Sequence, residues 1–111
     1  MAVYEEPRQL SREELVQKFL SEKNNEICGA LLSMSFYDDD WKWCQEQCLY
    51  FLEHSDPNVR GVAANCLGHI ARIHQSLDRK RVEDALSEHL KDKEISGIIE
   101  DALDDIKMFI V

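Results

Sequence analysis

Apolar side chains recur along most of this chain at intervals of three and four, the spacing that gathers them onto one face of an α-helix. Ser11, with Glu14 three positions on, makes a capping box for a first helix. Leu15, Val16, Phe19 and Leu20 share its face, and it should end near Ser21. After the polar residues 22–25, Ile27, Ala30, Leu31 and Met34 predict a second helix running to about Tyr37. The pair should form an antiparallel hairpin.

Three aspartates, Asp38 to Asp40, precede Trp41, where carboxylates cap free N–H groups and oppose the positive end of the helix dipole. The third helix they introduce carries Trp41, Cys44, Cys48, Phe51 and Leu52 inward, leaves Gln45, Glu46 and Glu53 for water, and stops around His54. The sharpest start follows: Asp56 as N-cap and Pro57 at the first helical position, whose missing N–H and preset φ suit that place. Val59, Val62, Ala63, Cys66, Leu67, Ile70 and Ile73 make this fourth helix, ending near His74, the most buried. Asp78 should cap a fifth helix bearing Val82, Ala85, Leu86 and Leu90. Asp92 should cap a sixth bearing Ile95, Ile98, Ile99, Ala102, Leu103, Ile106 and Phe109. No segment alternates as a strand would, and with four glycines and two prolines the connections look short.

The helices repeat. Moving the sixth back 36 positions lays Asp92 on Asp56, Ile95 on Val59, Ala102 on Cys66, Leu103 on Leu67 and Ile106 on Ile70. A shift of 32 sets Ile27 on Val59 and Leu31 on Ala63, a weaker third copy. Such periods belong to two-helix solenoid units. Within 48–71 the run Asp56, Pro57, Val59, Arg60, Ala63, Ala64, Leu67 and Gly68 resembles the HEAT-repeat signature. The resemblance implies an all-α fold, a short right-handed α-solenoid of about three HEAT-like hairpins and six helices. One domain would span 1–111, with 1–10 as an N-terminal arm. It also implies that Asp56 and Arg60 tie neighbouring repeats together. The outer copies depart from the signature, with Cys28 and Ser96 where the arginine would recur.

Charge narrows the partners. With 22 acidic and 13 basic side chains, a formal charge of −9 repels polyanions, so nucleic acid and anionic membranes are poor partners and a basic protein is the natural one. The same charge also serves solubility alone. No apolar run suits a signal peptide or a bilayer span, which places the protein in the cytoplasm, and Cys28, Cys44, Cys48 and Cys66 fall in apolar helical patterns as core thiols.

Catalytic signals are lacking. The Cys44 and Cys48 pair finds no second Cys or His pair to complete a metal site, and His69 and His74 point apart. There is no phosphate loop, nucleophile elbow or HExxH motif; His54, His69, His74 and His89 read as surface or rim side chains. No enzyme activity, cofactor or metal is expected.

Three features read as partner-binding. Glu100, Asp101, Asp104 and Asp105 form one acidic stripe on the sixth helix, either a solvated face or a dock for Lys and Arg. Asp38, Asp39, Asp40, Trp41 and Trp43 form an aromatic and acidic corner, where the two tryptophans lie about 200° apart and cannot both face the core. Asn58, Asn65, His69 and Arg72 lie on the polar side of the fourth helix, which in HEAT stacks lines the concave surface.

A short, acidic, single-domain binder of this kind resembles the small HEAT-like immunity proteins of bacterial contact-dependent inhibition systems. The resemblance implies that the chain neutralises a cognate toxin, of the nuclease kind, by occluding its basic cleft. The other reading is a HEAT-type scaffold or adaptor joining proteins.

Overall fold

Short polar caps and long amphipathic stretches resolve, in a computed structural model that describes residues 8–111, into helices alone, with no strand among the described residues. In chain order these are α1 (Arg12–Phe19), α2 (Asn24–Tyr37), α3 (Trp41–Phe51), α4 (Pro57–His74), α5 (Arg79–Glu88) and α6 (Ser96–Phe109). The all-α expectation is met with six helices.

The local causes are mostly those read from the sequence. Ser11 Oγ accepts from Glu14 N while Glu14 Oε1 accepts from Ser11 N, completing the capping box. Asp40 Oδ1 accepts from Trp43 N at 3.1 Å, and Asp56 Oδ2 from Val59 N at 3.1 Å with Pro57 in the first turn. Gln75, in the left-handed region at φ 51°, ends α4.

Two helix starts differ from expectation. Asp78 stands at the N-cap of α5, but its side chain makes no capping bond. α6 begins at Ser96 behind Ile95, not behind Asp92, because the Asp92 carboxylate is engaged by Arg60 and by Glu94 N. A run of turns occupies the interval, leaving Leu90 outside α5 and exposed.

The helices form two layers. α4 packs along both α2 and α6, and each of α1, α3 and α5 covers the partner that follows it in the chain. Small residues let α4 sit between its neighbours: Gly61, Ala63, Ala64, Gly68 and Ala71 are all buried, as are Val59, Cys66, Leu67 and Ile70. The expectation that α4 is the most enclosed helix holds, although Ile73 near its end is exposed. Aromatic contacts join α1 to α3, with Phe19 against Trp43 and Phe51 at centroid separations of 6.2 and 5.2 Å. Polar contacts join α3 to α5: Arg81 pairs with Glu46 and His89 with Glu53, while Gln45 Oε1 accepts from Asp78 N at 2.7 Å. Gln45 is therefore buried, not left to water, and its amide oxygen satisfies the backbone N–H of Asp78 itself, while the first-turn N–H groups of α5 receive no bond from the Asp78 side chain.

The N-terminal arm joins this core at its near end. Ser33 Oγ donates to Arg8 O at 2.6 Å and Leu10 is half-buried, while 1–7 lie outside the described residues. The C-terminal end is tied down too, since Ile110 is buried and its carbonyl accepts from Arg79 Nη1 at 3.0 Å. No helix among the described residues is long and apolar enough to cross a membrane.

All four cysteines are free thiols, with Cys44, Cys48 and Cys66 buried and Cys28 half-exposed. Burial, with the charges of Asp38 and Asp40 adding to it, pushes the Cys44 thiol up to about 12; burial likewise raises Cys48. A thiol reagent at neutral pH is expected to modify Cys28 in a fast phase and the other three only as fast as the protein opens. A single burst of four equivalents from the native protein would contradict this packing.

Candidate partner-binding face

The middle repeat supplies the frame of any binding face, and its strongest polar link is Arg60. The Arg60 side chain, 16% exposed, lies 2.9 Å from Asp92 and 3.4 Å from Glu94 while donating to the carbonyls of His54 and Ser55. Asp92 is the residue that the 36-position shift laid on Asp56. The arginine of one repeat thus binds the turn aspartate of the next, Arg60 holding Asp92. Asp56 itself caps α4, and its charge, after burial, raises the thiol of Cys28, which occupies the arginine's place in the first repeat. A charged link at Arg60 therefore fixes the second repeat on the third.

On α6, Glu100, Asp101 and Asp104 are exposed, and Asp105 is half-buried. Among the described residues none of the four enters an ion pair. Asp105 is set apart by its packing: a Cβ on Gly68 would stand 2.8 Å from its Oδ2, so it leans against α4 while the other three face solvent. Like charges on adjacent turns repel, and α6 carries one basic residue in its last turn, Lys107, to set against them.

The Trp corner is arranged differently. Arg12 donates to Asp38 from Nε and Nη2 at 3.3 and 3.2 Å, comes within 3.8 Å of Asp40, and lies 3.8 Å over the Trp43 ring. Asp38 is thus paired internally, with Asp40 at the edge of the same guanidinium and also capping α3; of the three aspartates only Asp39 has no such engagement among the described residues. Trp41 and Trp43 point to different sides, as the helical angle requires, yet both are half-buried against the core. This corner is a structural clamp between α1 and α3.

His69 corrects the reading of α4 as a polar strip. It is only 9% exposed, its ring 4.9 Å from that of Phe36 and its Nδ1 3.4 Å from Ser35 Oγ, so the α2 aromatic covers it. Asn65 and Arg72 remain exposed on either side. Asn58, from the polar side of α4, and Ile98, read from the sequence only as an apolar position of α6, join Asn65 and Asp101 around a groove of about 790 Å³ between α4 and the start of α6. Their meeting depends on how two helices cross, which spacing along one helix does not show. The groove and the acidic flank of α6 are therefore one continuous surface, sharing Asp101.

Among the described residues no three His, Cys, Asp or Glu side chains gather as a metal site needs. No protein-family model matches the chain, and no curated relative does. A solved structure does. One chain of the CDI complex from Cupriavidus taiwanensis LMG 19424 superposes with a TM-score of 0.89 at 29% identity, over 100% of this chain and 100% of that one. This chain resembles a component of a contact-dependent inhibition complex. The likeness runs from end to end, so it includes the caps, the Arg60 link region and α6 together.

Proposed function

We propose that this chain is an immunity protein that binds a cognate toxin and occludes a basic, nuclease-type active-site cleft. The full-length likeness to a chain of a CDI complex carries the reading, because contact-dependent inhibition is the system whose immunity proteins the sequence resembles. Two features favour the neutralising side. The charge of −9 opposes nucleic-acid substrates and favours a cationic protein. The α6 flank presents the exposed carboxylates of Glu100, Asp101 and Asp104, free of internal ion pairs among the described residues. Such a protein works by stoichiometric contact and has no reaction of its own to perform. Its place of work is the cytoplasm, where such a toxin would find its substrate, and its partner is protein, not nucleic acid or membrane.

Affinity purification from the native host, followed by co-expression of whatever toxin domain is captured, tests the proposal. One toxin should be retained at about nanomolar affinity or better, and growth should be restored only in cells making this chain. Several weakly held partners, or no rescue from a folded chain, would favour the adaptor reading instead.

A further inference from the structure

We infer that the groove between α4 and α6 seats an arginine side chain of the protein partner, an assignment that rests on the partner being a basic protein. The groove stays open at its floor because residue 61 is glycine: a Cβ there would stand 3.0 Å from Ile98 Cδ1 and 3.6 Å from Ile95 Cγ2. Val62 and Ile98 supply apolar walls, Asn58 and Asn65 stand seven residues apart on the same side of α4, and Asp101 closes the far side. Glu94 at the rim is already held by Arg60, so Asp101 is the lining carboxylate without an internal ion pair among the described residues.

This combination distinguishes arginine from a generic cation. An arginine stem is apolar and packs along aliphatic walls, while its planar head donates five N–H bonds in fixed directions. Asp101 offers two carboxylate oxygens to that fork, and the two asparagines offer carbonyl oxygens for the remaining donors. Lysine would satisfy the charge but leave much of this acceptor set unused, because its ammonium is a compact, strongly hydrated point charge. Glu100 and Asp104 are exposed on the same helix as Asp101, so a basic surface drawn to the α6 flank meets the groove at Asp101.

The test uses the whole chain and a fluorescein-labelled oligo-arginine peptide, with an oligo-lysine peptide of equal length beside it. Asp101→Asn and Asn65→Leu alter exposed positions, and unchanged circular dichroism would verify that both variants fold. Each should weaken oligo-arginine binding by roughly tenfold, the scale of losing a bond to a charged group. Glu88→Gln, an equal charge change on exposed α5, should leave binding within about twofold, since a distant exposed charge contributes little. Oligo-lysine should bind the unaltered chain less tightly than oligo-arginine. Equal loss from Glu88→Gln, or equal affinity for the two peptides, would overturn the assignment and leave only diffuse attraction. Rescue from a toxin by co-expression is read separately. A chain that rescues but shows no arginine preference loses the groove and keeps its function; one that prefers arginine but rescues nothing loses the function.

Discussion

An Arg60→Ala protein is expected to melt roughly 10 °C below the natural one, a loss of about 2–3 kcal/mol. Four acceptors converge on this one guanidinium: the carboxylates of Asp92 and Glu94 and the carbonyls of His54 and Ser55. At 16% exposure water re-solvates the site poorly, so removal leaves carboxylates and carbonyls facing one another. The cost exceeds that of the surface pair Lys80–Asp84, whose partners are 88% and 67% exposed and whose loss should shift the melt by at most a few degrees. Arg60→Lys should recover less than half, since an ammonium cannot reach four acceptors arranged around a fork. Differential scanning calorimetry of the three variants checks the order, and an Arg60→Ala melt within about 2 °C of the natural protein would remove the link between the second and third repeats from the account.

If the chain is the proposed immunity protein, reversing Glu100, Asp101 and Asp104 to lysine together is expected to weaken binding of the captured toxin by roughly 100-fold or more, while the helical circular dichroism stays the same. Each replacement changes the charge by two, so the net charge moves from −9 to −3 with the change confined to one flank. The largest part of the loss should lie in the association rate at low salt and shrink as salt is added, because long-range attraction is screened. Asp105 is left in place, since its carboxylate rests against Gly68 and lysine there would disturb the α4–α6 contact as well as the charge. Surface plasmon resonance against the captured toxin measures both rates. Unchanged association and dissociation would take the α6 flank out of the interface.

The helices were legible because their signals are local. Ser11 with Glu14, and Asp56 with Pro57, each carry their reason within four residues, and both caps form as read. The signals failed where another element intervenes. Asp92 has the look of an N-cap, and the repeat lays it on one, yet Arg60 of the previous repeat takes its carboxylate and α6 starts later. Gln45 has the sequence neighbours of a solvent-facing residue, but the arrival of Asp78 buries it. His69 reads as part of a polar strip until Phe36 of α2 closes over it. In the same way Asp38 and Asp40 seem free to meet a partner, and Arg12 claims them. Each of these turns on a contact more than 20 residues away in the chain, which a periodic pattern does not encode. The exposure of Glu100, Asp101 and Asp104 was legible for the opposite reason, since among the described residues no ion pair claims them, while the lean of Asp105 on Gly68 was not.

Neutralisation by contact has a direct signature in a titration of toxin activity against added chain. Activity should fall linearly and reach zero at one equivalent, with the toxin itself covalently unchanged. Inactivation by far less than one equivalent, or full activity beside an excess of folded chain, would contradict an inhibitor that works by covering a basic cleft.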